Sequence, residues 1–261
     1  MASVPPKGQI YDSVASDYDI IWSVPAVKIL FPMLDANLRR LGPWDGASAL
    51  DLACGTGIGL REMKKLGATK LVGVDISREM LDVAKQTSPN DGFELHHADC
   101  SQPLDYLGLQ QGSFDVIIAM WLLNYPEDRA QMAGMWQNIA TYLKPDGKFV
   151  GIIQNQDTVH PSSMQGKWDA YGARETNVQP LPSGDGVRMH VEFNTEPKVE
   201  FDTLVLRKEI LEEEARKAGL VDLHYVRPGE EAKGEIEGKG EAWWGELLGE
   251  YPNQLVIAMK A

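Results

Sequence analysis

The stretch Ser48-Ala-Leu-Asp-Leu-Ala-Cys-Gly-Thr-Gly-Ile-Gly59 decides the fold. Its first half is a short apolar run, and its second half places glycines at 55, 57 and 59. Glycines directly after a strand let the backbone approach a ligand and turn free NH groups toward it, so a nucleotide-like cofactor is expected at this loop. The spacing narrows the choice. A dinucleotide fingerprint needs a glycine at its sixth position, and Leu60 holds that place counted from Gly55. No Gly-Lys-Ser/Thr follows, which excludes a P-loop.

Outward from the loop, short apolar runs alternate with helical patterns. Leu60 to Leu66 is closed by Gly67, Leu71 to Val74 is followed by a helix that Ser77 can cap, and Phe93 to His97 and Phe114 to Met120 read as strands. A helix carrying Met132, Trp136, Ile139 and Leu143 then leads through the turn Lys144-Pro-Asp-Gly147 to the strand Lys148 to Ile153. Such alternation predicts a parallel sheet. Upstream, Leu30, Leu34, Leu38 and Leu41 recur at helical spacing before Gly42.

Residues 154–200 break the rhythm with prolines, glycines and polar residues and are too long for an ordinary connection, so they read as a functional insertion. After them come a strand at Thr203 to Leu206, a helix with Leu211, Ala215 and Ala218, a strand near Asp222 to Val226, and a last strand Gln254 to Met259. One domain is expected. It divides into an N-terminal helical lid (1–44), a cofactor-binding core (45–153), a substrate-side insertion (154–200), and closing strands and helix (201–261).

Three aspartates end the first three strands: Asp51, Asp75 and Asp99. Asp75 stands 20 residues after Gly55, where a carboxylate can accept both ribose hydroxyls of an adenosine cofactor. At Asp99 a carboxylate can accept from an exocyclic adenine amine. Together they would converge on one edge of the sheet.

The segments Asp51 to Gly59, Val72-Gly-Val-Asp75, Ala98-Asp99, Phe114-Asp-Val-Ile117 and Leu143-Lys-Pro-Asp-Gly147 resemble the successive motifs of class I S-adenosylmethionine-dependent methyltransferases, of the small-molecule type. The pattern Tyr11 to Asp19 is similar to the cofactor-covering N-terminal segment of that family, and Leu204 to Met259 is similar in layout to its final strands. The resemblance implies a three-layer α/β, Rossmann-like, seven-stranded sheet, mostly parallel with an antiparallel last strand. The N-terminal helical lid and an insertion after strand 5 complete it. It implies S-adenosyl-L-methionine as cofactor and S-adenosyl-L-homocysteine as product. Asp51 and the backbone from Ala53 to Gly57, including Gly55, would hold the methionine part; Asp75 and Ile76 the ribose and adenine; Asp99 and Cys100 the adenine amine. Ala119 to Trp121, with Met120 among them, would flank the sulfonium, and Tyr11 and Tyr18 would cover the methyl group or bind the cofactor carboxylate.

The expected reaction is methyl transfer to an O or N atom of a small-molecule acceptor, such as a secondary metabolite. Trp22, Trp121, Trp168 and Tyr171 are candidates for an aromatic acceptor pocket. A hydroxyl acceptor would gain from a general base, for which His160 is the leading candidate by topology, ahead of His190 and Asp157. His96 and His97 fit packing or solvent-facing roles instead. The alternative is a protein of this fold that binds the cofactor without transferring methyl. A nicotinamide oxidoreductase conflicts with Leu60.

Composition bounds the partners. The net charge of −13 opposes phosphate neutralisation, so no nucleic-acid partner is expected, and a neutral or cationic small molecule fits better. No apolar run is long enough to span a membrane, which predicts a cytoplasmic protein, monomer or homodimer. Cys54 and Cys100 lack the spacing of a zinc site and read as buried thiols, so no metal is expected.

Overall fold

A computed structural model describes residues 11–159, 168–229, 232, 236 and 238–261. Ten strands are described: β1 (Ser48–Leu52), β2 (Lys70–Asp75), β3 (Glu94–His97), β4 (Phe114–Met120), β5 (Leu143–Gln154), β6 (Ala173–Pro180), β7 (Gly186–Phe193), β8 (Val199–Leu206), β9 (Leu220–Val226) and β10 (Asn253–Lys260). The principal helices are α1 (Leu30–Leu41), α2 (Ile58–Lys65), α3 (Arg78–Thr87), α4 (Arg129–Tyr142), α5 (Lys208–Lys217) and α6 (Glu241–Gly249).

Seven strands form one sheet in the order β3-β2-β1-β4-β5-β10-β9. β1 to β5 pair in parallel, and β10 is antiparallel to both of its neighbours. The expected seven-stranded, mostly parallel sheet is therefore present. Its central strands are covered on both faces, which is why β1 and β4 read as continuous apolar runs rather than alternating ones. Ala49, Leu50, Leu52, Val116, Ile117 and Ile118 are all buried. Two hydrophobic clusters fill the two faces. One joins the sheet to α1, α2 and α6, and the other joins it to α4 and α5. Trp136 of α4 is fully buried edge-on against Phe149, with ring centroids 5.0 Å apart, as its place on the apolar stripe predicted.

The local signals match the elements they foretold. Ser77 caps α3 by accepting a hydrogen bond from the Met80 NH at 3.1 Å. Lys144-Pro-Asp-Gly147 is absorbed into β5 as an irregularity, so that pairing with β4 jumps from Leu143 opposite Phe114 to Lys148 opposite Val116.

The region after β5 departs from expectation. Thr203 to Leu206 does not join the main sheet. It lies in β8, the edge of a separate three-stranded antiparallel sheet, β6-β7-β8. The insertion thus supplies two regular strands, and a boundary at residue 200 would cut β8. Burial alternates along β7 from Met189 to Phe193 and along β8 from Val199 to Thr203, with Met189, Val191, Phe193, Val199, Phe201 and Thr203 facing inward, and the end of β8 is buried on both faces. Among the described residues no helix is long and apolar enough to cross a membrane.

Candidate active site

The glycine loop is held from one side by the second strand. The Gly55 NH donates to Asp75 Oδ2 at 2.7 Å, and the Ser77 NH donates to Oδ1 at 2.8 Å. The Gly55 NH is therefore not free for a ligand, as the sequence had suggested, but braces the loop against Asp75. A carboxylate offers about four lone-pair positions, so Asp75 keeps acceptor capacity beyond these backbone contacts. Burial pushes the Asp75 pKa up, and the backbone NH groups of Ser77, Gly55 and Ile76 pull it back. Gly57, at φ +85°, makes the left-handed turn into α2 that a side chain would strain.

Asp51 sits behind this loop. It is fully buried, and neither carboxylate oxygen has a hydrogen-bond partner among the described residues. Burial, and then the charge of Asp75, hold its pKa well above the usual carboxylate range. Gly59 explains how the group fits, because a Cβ there would fall on the Asp51 carboxylate.

In front of the loop opens a cleft of about 950 Å³ counted to its mouth, within the range of small-molecule sites. Ala53, Gly55, Asp75, Ile76, Asp99, Cys100 and Met120 line it, and Tyr11, Tyr18, Trp22 and Trp121 cover it. Asp51 and Gly57 do not reach its wall. Two non-glycine residues on that wall, Ala53 (φ 63°) and Trp121 (φ 62°), hold left-handed backbone. Such strain costs roughly 1–3 kcal/mol per residue and gathers at functional sites.

The N-terminal segment is tied across the cleft at three points. Ser77 donates to Asp12 at 2.6 Å, Thr56 donates to Asp19 at 2.5 Å, and the Tyr11 hydroxyl donates to that of Tyr125. Tyr11 and Tyr18 also pack on Phe201 of β8, with centroids 5.6 and 6.2 Å away. Burial pushes the Tyr125 phenol up to about 12 and those of Tyr11 and Tyr18 well above their usual value, so all three remain protonated at neutral pH.

A second cavity of about 550 Å³ adjoins the first and shares Tyr18, Trp121 and Tyr125 with it. The small sheet forms one side through Ala173, Glu175, Val191, Phe193, Phe201 and Thr203, and Trp168 lines it as well. Trp121 is fixed by donating its indole NH to Asn253 Oδ1 at 3.0 Å.

The aromatic candidates separate accordingly. Trp121 lines both cavities, Trp168 only the second and Trp22 only the first, while Tyr171 lines neither. Tyr171 is buried against Trp243, with centroids 5.1 Å apart, because the turn before β6 directs it toward α6. His160 lies outside the described residues. His190 faces away on the small sheet and pairs with Asp202 at 2.9 Å, and Asp157 pairs with Arg227 at 2.9 Å. His96 contacts Glu94, and His97 contacts the Ile76 carbonyl. Cys54 and Cys100 are buried free thiols. Among the described residues no group of side chains could hold a metal. Sequence reasoning missed Tyr125, Met80 and Met135 on the first cavity and Glu175 on the second. Tyr125 could have been found from its place just after β4.

A family model for the methyltransferase domain matches residues 49–147. The demethylmenaquinone methyltransferase of Lactococcus lactis subsp. lactis is 29% identical over 227 residues, 85% of this chain and 84% of that protein. The ribosomal protein L11 methyltransferase of Neisseria meningitidis serogroup C is 36% identical over 136 residues, but the match spans only 40% of its length. This chain is a methyltransferase, and residues 49–147 form the core of its methyltransferase domain. Two solved structures share the fold: CcbJ methyltransferase of Streptomyces caelestis (TM-score 0.64, 16% identity, 97% of this chain and 98% of that one) and an S-adenosylmethionine-dependent methyltransferase of Clostridium acetobutylicum (0.60, 19%, 96% and 99%).

The cofactor of this methyltransferase is S-adenosylmethionine, and the residues present fit it. Asp75 has lone pairs to spare for a diol, and the glycine loop admits close approach. The buried Asp51 carboxylate lacks the positive partner that a carboxylate in such a place calls for.

Proposed function

We propose that this methyltransferase moves a methyl group from S-adenosylmethionine to an N or O atom of a small-molecule acceptor held in the second cavity. The observation that carries this reading is the shared wall. Tyr18, Trp121 and Tyr125 belong to both cavities, so a ligand in one meets a ligand in the other there.

In this reading Asp75 and Ile76 hold the ribose, and Asp99 and Cys100 hold the adenine. Asp51 acts from behind the loop as counter-charge to the amino group of the methionine part. When bound, the cofactor supplies a methyl group on a sulfonium that is already a good leaving group. The protein's own task is then to orient the acceptor and exclude water, which can account for most of such a rate. Tyr11, Tyr18 and Trp22 close the cleft, and the protonated Tyr125 donates rather than accepts a proton. No histidine among the described residues lines either cavity, which favours an acceptor atom that needs little help in losing a proton. A cavity walled largely by aromatic rings supports a small molecule over a macromolecule.

A thermal-shift panel with S-adenosylmethionine, S-adenosylhomocysteine, NADH and NADPH tests the cofactor half, because a ligand selective for the native state raises its melting temperature. The first two are expected to stabilise. Methyl-labelled cofactor incubated with host-cell metabolites tests the transfer half, with label expected in a low-mass product. Cofactor binding with no labelled product would leave a binder that does not transfer.

A further inference from the structure

Strand alternation sets the inner face of the small sheet. Ala173 and Glu175 of β6 point the same way, opposite Phe193 and Val191 of β7, which in turn stand opposite Val199 and Phe201 of β8. Five of these six inward positions are apolar. The sixth, Glu175, is a carboxylate only 4% exposed, and it lines the second cavity. Gln154, at the end of β5, donates to its Oε1 at 2.6 Å and so fixes the group from the main sheet. An acid costs stability at an inward strand position that Val or Leu would fill, and breaches of a local rule of this kind gather at functional sites.

The surroundings say what the group would recognise. Among the described residues lining this cavity Glu175 is the only charged side chain, and the rings of Tyr18, Trp121, Trp168, Phe193 and Phe201 form much of the remaining wall. Aromatic faces carry a negative quadrupole and attract a cation, as a carboxylate does more strongly. A neutral hydroxyl gains from the carboxylate alone, whereas an ammonium gains from both. A net charge of −13 draws cations rather than anions toward the molecule.

We infer that Glu175 determines acceptor specificity and that the acceptor is an amine, recognised as its ammonium by Glu175 among aromatic rings and methylated as the free amine once one ammonium proton has passed to that carboxylate. The inference rests on the acceptor assignment of the second cavity proposed above. Glu175 lines that cavity and not the first, so it acts on acceptor recognition rather than on the cofactor.

The test is calorimetric titration of S-adenosylhomocysteine-saturated protein with amines and their neutral hydroxyl counterparts: phenethylamine against phenethyl alcohol, and tryptamine against tryptophol. Wild type is expected to bind the amine of at least one pair about tenfold more tightly than its alcohol, a difference of about 1.4 kcal/mol. Glu175→Gln should erase that preference, weakening the amine about tenfold and leaving the alcohol and S-adenosylhomocysteine affinities unchanged. Equal binding within both pairs, no binding of either amine, or a preference that survives Glu175→Gln overturns the inference. The wild-type comparison stands even if the variant misfolds. Titration with S-adenosylhomocysteine comes first. If it fails to bind, the cofactor assignment fails and this inference with it; if it binds and the amine preference is missing, only the inference is lost.

Discussion

The two cavities are built in opposite ways. The floor of the cleft proposed for the cofactor is made by short segments at the ends of β1, β2, β3 and β4, with its two strand-end carboxylates held by backbone nearby. Asp75 is fixed by the NH groups of Gly55 and Ser77, and Asp99 by the NH of Ser101 at 2.8 Å. The second cavity, proposed to hold the acceptor, is assembled across the chain, from Tyr18, Trp121, the small sheet and Asn253. A site written into strand ends is set by the fold, whereas one made of distant side chains can change its specificity without disturbing the fold.

The largest expected effect breaks the first site alone. Asp75→Ala removes the groups proposed to hold the ribose and also the brace on Gly55. Cofactor affinity should fall by about 10–100-fold, the range for lost hydrogen bonds to a charged group. Calorimetry with S-adenosylhomocysteine reads it, with circular dichroism to confirm folding, and unchanged affinity would refute the ribose assignment. Gly59→Ala comes next. Its Cβ would displace the Asp51 carboxylate, so both melting temperature and cofactor affinity should drop, and a variant that behaves as wild type would mean that Asp51 has room to spare.

That the first site was legible and the second was not follows from the same contrast. Leu60 in place of a glycine, and Asp75 at its distance from Gly55, are local facts that a sequence displays directly. The pairing of Glu175 with Val191 and of Val191 with Phe201 depends on an antiparallel sheet that the irregular composition of residues 154–200 concealed. For the same reason Thr203 to Leu206 read as a strand of the main sheet, since its apolar pattern shows that it is buried but not against what. Tyr171 and Trp168 were indistinguishable in sequence, and only the turn between them and β6 sends one to the core and the other to the cavity wall.

A smaller effect sharpens the electrostatics of the cofactor side. The Asp51 pKa is raised by burial, so between the ordinary carboxylate value and the raised one the native state binds more protons than the unfolded chain. Its presence therefore costs stability progressively as pH rises through that window. Without cofactor, the melting temperature of Asp51→Asn should gain on that of wild type as pH rises above the ordinary carboxylate value, with affinity for S-adenosylhomocysteine lost in exchange. A gap independent of pH would show that burial does not raise the pKa of this carboxylate. Smallest of all is the strap. Asp19 is partly exposed, with side-chain exposure of 39%, so Asp19→Ala should leave stability nearly unchanged while speeding cofactor release several-fold in stopped flow. An unchanged release rate would show that the Thr56 contact does not close the cleft.

The central claim is that the two cavities meet where the methyl group is handed over. A crystal structure with S-adenosylhomocysteine tests it most directly. The ribose should lie on Asp75 and the sulfur at the wall made by Tyr18, Trp121 and Tyr125, facing the second cavity. A sulfur directed away from that wall, or a ligand bound elsewhere, would contradict it.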